Sequence, residues 1–161
     1  MQRSSRQVQF IAHNIRSAEN IGSLLRTCDS LGVSKLWITG YSPQPSHPKV
    51  KKTALGAEHA VAWESVLDVM DTILRLKQLG FRIVGLEITS AAINLVDYQS
   101  HLKTVLLLGN EVEGLTPSLL AVCDDVIAIS QRGSKESLNV AVAAGIAGFW
   151  MMNAQARVDS K

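Results

Sequence analysis

Two short apolar runs in the last third of the chain, each breaking abruptly into a polar loop, constrain the fold more than any other feature. Val105–Leu108 is an unbroken aliphatic run closed by Gly109, the pattern of a parallel strand buried on both faces. A polar loop spans 110–116. Thr116-Pro117 then supplies an N-cap followed by proline at the first helical position, which predicts a short helix over Pro117–Val122. Val126–Ser130 reads as a second buried strand, opening into the polar stretch 131–136. Ser137 is the expected cap of a final helix. Ligands of parallel α/β sheets bind at the carboxyl ends of strands, where both loops fall.

The final helix carries no charged side chain from Leu138 to Ala156. A membrane span needs roughly 20 predominantly apolar residues, and Asn139, Asn153, Gln155 and two glycines argue against one here. A helix buried inside one subunit remains open. A helix shared between two subunits accounts for more, because Ala141, Ala144, Gly145 and Gly148 are small residues at helical spacing that permit close backbone approach.

The 161 residues, 47% of them hydrophobic, suffice for one good core with little room for a second, so a single domain over 1–161 is expected. Cys28 and Cys123 both fall in apolar helical patterns, which fits buried thiols in a reducing compartment. The N-terminal MQRSSRQVQF lacks the apolar core of a signal peptide, and a cytoplasmic protein is expected.

The net charge of +2 is unevenly placed: residues 1–59 carry eight Lys or Arg against three acids, a net of +5, and the rest carry −3. A basic N-terminal half is the footprint of a surface that meets phosphates, and equally that of an ordinary solvated face.

Val8–Ala12 reads as the first strand, and Ile21, Leu24, Leu25, Cys28 and Leu31 then recur at helical spacing up to Gly32. Asn20 and Arg26, six apart on that helix, project in different directions, so each must meet something else. Lys35–Thr39 is the second strand. Tyr41–Lys52, with three prolines, His47 and three lysines, reads as a mobile basic loop. Val66 to Leu79 forms an amphipathic helix stopped by Gly80, Arg82–Ile88 a strand, and 91–101 is ambiguous. This alternation of strand and helix predicts an α/β fold with a parallel sheet flanked by helices.

Several familiar sites are excluded. Gly109 to Gly114 has the glycine spacing of a phosphate loop, but Leu115-Thr116 stands where Lys-Ser/Thr is needed. No G-x-G-x-x-G follows a strand, no G-x-S-x-G elbow is present, and four scattered histidines with two lone cysteines give no metal-ligand spacing. What remains is Asn20 and Arg26 on the first helix, Gly109-Asn110-Glu111 after a buried strand, and Ser137-Leu138-Asn139 opening the final helix.

In order, these segments resemble the SpoU (TrmH-like) branch of the SPOUT RNA methyltransferases. The matching stretches are 20–29 (NIGSLLRTCD), 107–116 (LLGNEVEGLT) and 137–145 (SLNVAVAAG), with 52–58 (KTALGAE) also similar. The resemblance covers nearly the whole chain. It implies a C-terminal trefoil knot, which pattern reading excludes by default, S-adenosylmethionine as cofactor, no metal, an obligate homodimer built on the final helix, and methyl transfer to a ribose 2′-hydroxyl. By family position Asn20, Arg26, Glu111, Ser137 and Asn139 form the catalytic set, and Leu108, Gly109, Asn110, Gly114, Ile129 and Leu138 lie along the cofactor.

Many members carry an added RNA-binding domain. Without one, Arg3, Arg6, Arg16, Lys49, Lys51 and Lys52 are the expected RNA contacts, and a small footprint favours a compact stem-loop such as tRNA over rRNA. A knotted cofactor- and RNA-binding module without turnover is the alternative, and the complete catalytic set argues against it.

Overall fold

The computed structural model describes residues 6–154. Seven strands form one sheet in the order β3-β2-β1-β6-β4-β7-β5, every pair parallel. They are β1 (Gln7–His13), β2 (Lys35–Thr39), β3 (Trp63–Val66), β4 (Arg82–Leu86), β5 (Ile93–Asn94), β6 (Lys103–Leu108) and β7 (Asp125–Ala128). The helices are α1 (Ala18–Leu31), α2 (Pro48–Ala54), α3 (Ala57–Ala60), α4 (Val69–Gln78), α5 (Pro117–Val122) and α6 (Val140–Asn153).

The period-2 alternation of the central strands divides the core into two halves. Phe10, Ala12, Leu106 and Leu108 face a layer made by α1, α2 and α6, whereas Ile11, Val105 and Leu107 face α4 and α5. The result is the parallel α/β sheet flanked by helices that the sequence predicts. β1 pairs with β6 from Gln7↔Lys103 to Ala12↔Leu108, so the sites after both strands open at the same sheet edge. From β6 the chain crosses β4 to reach β7, and α6 then returns to α1. That path is compatible with the knot implied by the resemblance.

Three expectations about these elements are corrected. The segment read as a mobile basic loop contains α2, capped by His47, whose Nδ1 accepts from Lys49 N at 3.1 Å, with Pro48 in the first turn. The cap-proline pair is the same signal as Thr116-Pro117, here masked by prolines and lysines. The amphipathic helix starts at Val69 behind the Asp68 cap, and Val66 belongs to β3. The cap of α6 is Asn139, not Ser137: its Oδ1 accepts from Ala141 N and Val142 N at 2.9 and 3.2 Å.

Ala141, Ala144 and Gly148 of α6 face the core of their own subunit. A Cβ on Gly148 would lie 2.6 Å from Phe10 and 2.9 Å from Leu31, so glycine lets α6 seat against α1 and β1. Val142, Ile146 and Phe149 are the exposed face instead.

Arg6 is expected to meet RNA, but its guanidinium donates to the Met151 carbonyl and, at 2.5 Å, to that of Ala154. It neutralises the carbonyl end of α6. At the far end of the sheet Arg82 grips Asp125 with two hydrogen bonds of 2.5 and 2.9 Å, pinning β4 to β7. Among the described residues no helix is long and apolar enough to cross a membrane.

Candidate active site

A cleft of about 430 Å³ opens at the carboxyl ends of β4, β6 and β7, roofed by the approach to α6. Its floor is the turn after β6. Asn110 builds that turn by accepting from Val112 N and Glu113 N at 2.8 and 2.9 Å, while its carbonyl accepts from Gly114 N at 2.9 Å. Its Nδ2 donates to the Asn14 carbonyl at 3.0 Å and to the Tyr41 hydroxyl at 2.7 Å, which ties together the ends of β1, β2 and β6. Only glycine fits at two positions. A Cβ on Gly109 would lie 2.5 Å from the Gly114 carbonyl carbon, and Gly114 itself has φ 67°.

Glu111 reaches back from the same turn to the start of α1. Its Oε2 accepts from Arg16 N at 2.8 Å, and its Oε1 from Ser17 N at 3.0 Å and Asn20 Nδ2 at 2.9 Å. Partial burial pushes the Glu111 carboxyl up, but these donors outweigh it and hold the group below the usual glutamate range. The positive end of α1 acts in the same sense. Asn20 passes the contact on: its Oδ1 accepts from Asn139 Nδ2 at 3.0 Å, and Asn139 caps α6. Three side chains from three segments therefore form one hydrogen-bonded line at the mouth of the cleft.

Leu108, Gly109, Asn110, Gly114, Ile129 and Leu138 all line the cleft, as do Glu111, Ser137 and Asn139. Asn20 joins through its two hydrogen bonds. Arg26 does not join: it is exposed on α1 and borders a separate groove with Ser23, Thr27 and Gly145. Arg16 is exposed beside Glu111, and Lys49, Lys51 and Lys52 are exposed on α2. α2 is held close to Asn20 because Gly22 has no side chain; a Cβ there would lie 2.6 Å from the Val50 carbonyl. Arg3 lies outside the described residues.

Sequence reasoning missed Glu87, Asn14 and Tyr41. Glu87, just past β4, lines the cleft and accepts from Leu115 N at 2.8 Å and Ile88 N at 3.0 Å, bracing the far side of the turn. Asn14, at φ 52°, accepts from Tyr41 N at 3.1 Å. Asn14 follows a strand directly, and a non-glycine residue there with a cap-like side chain is the one signal that pointed to it.

The cleft has the volume of a small-molecule site, which runs from roughly 300 to 1,000 Å³. Among the described residues its lining includes the carboxylates of Glu87, Glu111 and Glu113 and no lysine or arginine. That charge suits a cationic ligand such as a sulfonium. Among the described residues no group of three or more His, Cys, Asp or Glu is placed to hold a metal ion.

The SpoU rRNA Methylase family model matches residues 7–149. The chain is 29% identical over 147 residues to a tRNA (guanosine(18)-2′-O)-methyltransferase of Aquifex aeolicus, covering 91% of this chain and 69% of that protein. It is 31% identical to a 23S rRNA (guanosine-2′-O-)-methyltransferase of Pseudomonas aeruginosa, covering 84% of this chain and 54% of the relative. It thus spans between half and about two thirds of these relatives' lengths. The AdoMet-bound rRNA methyltransferase of Sinorhizobium meliloti superposes with a TM-score of 0.84 at 25% identity, over 90% of this chain and 55% of that one. With the family match running from β1 into α6, the chain belongs to the SpoU rRNA methylase family.

Proposed function

We propose that the protein transfers a methyl group from S-adenosylmethionine to a ribose 2′-hydroxyl of RNA, acting in the cytoplasm. The observation that carries this reading is the Glu111–Asn20–Asn139 line at the mouth of a cleft whose lining, among the described residues, holds carboxylates and no cation. It is supported by the named activities of relatives matched across most of the chain. S-adenosylmethionine bound there supplies a methyl group already activated on a sulfonium.

The chain then has to orient an in-line attack and stabilise the hydroxyl as it loses its proton. Gly109, Gly114, Ile129 and Leu138 shape the cofactor's bed, with Leu108 and Asn110 beneath. Glu111 and Asn139 fix Asn20, and with Ser137 they form the edge that the ribose approaches. Arg26 stays protonated, so its role is to stabilise the developing alkoxide and the neighbouring phosphate.

Arg26 borders a groove apart from the cleft, which supports its serving the cleft of a second copy. A homodimer through α6 is supported by its exposed Val142, Ile146 and Phe149, which lie one above another; Ile146 and Phe149 also flank a hollow of about 500 Å³ with Leu95, Val96 and Arg132. Gly145 borders both that hollow and the Arg26 groove, so such a dimer sets Arg26 at the seam.

RNA is met by Arg16 and by Lys49, Lys51 and Lys52. We favour tRNA over rRNA because a small footprint suits a compact stem-loop. Mapping alkali-resistant 2′-O-methyl positions in total RNA from cells with and without the gene tests the reading. A site lost from a tRNA ribose is the expected result; loss from a base, or no loss, overturns it.

A further inference from the structure

Tyr41 is 60% exposed, yet both its hydroxyl and its backbone N–H are held. The hydroxyl oxygen accepts from Asn110 Nδ2 at 2.7 Å, and the residue's own backbone N–H donates to Asn14 Oδ1 at 3.1 Å. An exposed aromatic ring normally gains nothing from being held in one orientation, and a ring fixed by a buried amide is preorganised for a flat partner. Tyr41 does not line the cofactor cleft, but the residue that holds it, Asn110, does. The ring therefore stands at the rim.

Its surroundings suit a nucleotide. Ser42, the next residue, accepts from Ile15 N at 2.8 Å, which sets the 41–42 segment alongside 14–16. The exposed Arg16 is on that strand exit, and its backbone N–H donates to Glu111. A cation for a phosphate, an aromatic face for a base and the edge that receives a ribose thus lie along one rim. Single-stranded RNA is bound in this way, with splayed bases stacked on aromatic side chains.

We infer that Tyr41 is a substrate-binding residue whose ring stacks on a nucleobase at or next to the methylated nucleotide. This rests on the proposed RNA methyl transfer. A stack is tolerant of base identity, so Tyr41 supplies grip and orientation, and sequence choice comes from elsewhere.

The test compares Tyr41→Phe, Tyr41→Leu and Tyr41→Ala in the full chain, with labelled S-adenosylmethionine and total tRNA-sized RNA from cells lacking the gene. Phe keeps the ring and loses the hydroxyl; Leu keeps apolar bulk and loses the ring. The expected result is that Leu and Ala each lower kcat/KM for RNA by about 10- to 100-fold, that Phe stays within about threefold of the parent, and that cofactor affinity by calorimetry is unchanged in all three. If Phe is as impaired as Leu, the hydroxyl's hold on Asn110 is the function and the stacking role is overturned. If Leu matches the parent, no stack exists and it is again overturned. Absence of any transfer by the parent protein overturns the RNA reading itself, and the stack with it.

Discussion

Asn139 Nδ2 donates to Asn20 Oδ1 at 3.0 Å across 119 positions of sequence, so the cap of the last helix and the first turn of the first helix are one structure. The same Asn139 side chain also caps α6 through its Oδ1. The two roles use different atoms of one amide and can be separated.

Asn139→Asp keeps the capping oxygen and loses the donor to Asn20, whereas Asn139→Ala loses both. We expect Ala to cost about 1 kcal/mol of stability and Asp to leave stability near the parent, with both lowering methyl transfer. Thermal or urea melts beside single-turnover rates separate the two effects.

The Glu111 carboxyl is held below the ordinary value of 4.5, so its hydrogen bonds stabilise the fold in full above that value. The contribution is lost as pH falls through the lowered folded-state value. Glu111→Gln, which turns an amide toward the Arg16 and Ser17 N–H donors, should lower stability at neutral pH and flatten its acid dependence. Because Glu111 is largely exposed, the neutral-pH loss should be at the lower end of the range for an unmet buried group, about 1 kcal/mol. Urea midpoints from pH 3 to 7 check this.

Gly148 and Phe149 are adjacent but face opposite ways. Gly148→Ala puts a Cβ within 2.6 Å of Phe10 and should destabilise each subunit by about 1–3 kcal/mol. Phe149→Glu, at a position 60% exposed, should leave the subunit folded and yield monomers in sedimentation. A folded, dimeric Phe149→Glu protein would remove α6 from the proposed interface.

Much of this was legible in the sequence because each strand-end loop carries a distinct motif. Asn20, Glu111 and Asn139 stand in segments whose spacing resembles the family, and the structure brings their side chains into contact. Glu87 and Tyr41 were not legible: each is one polar or aromatic residue after a strand, and its meaning lies in a hydrogen bond to a residue far along the chain. Ser137 was read as the cap in place of Asn139 because both residue types cap helices equally well. The small-residue face of α6 was assigned to a partner because spacing shows that something packs closely there, not whether it is Phe10 of the same chain or a second copy.

Arg26→Ala should abolish methyl transfer and leave cofactor affinity unchanged, because Arg26 is not in the cleft lining. Calorimetry and single-turnover rates decide it. A collapse of cofactor affinity would make Arg26 structural, and an unchanged rate would end its role at the ribose.

The most direct measurement incubates the purified protein with methyl-labelled S-adenosylmethionine, in chelator, and RNA from cells lacking the gene, then digests the RNA to nucleosides and locates the label. Label in a 2′-O-methylated nucleoside is the expected result. Label in a base-methylated nucleoside, or none at all, would contradict it.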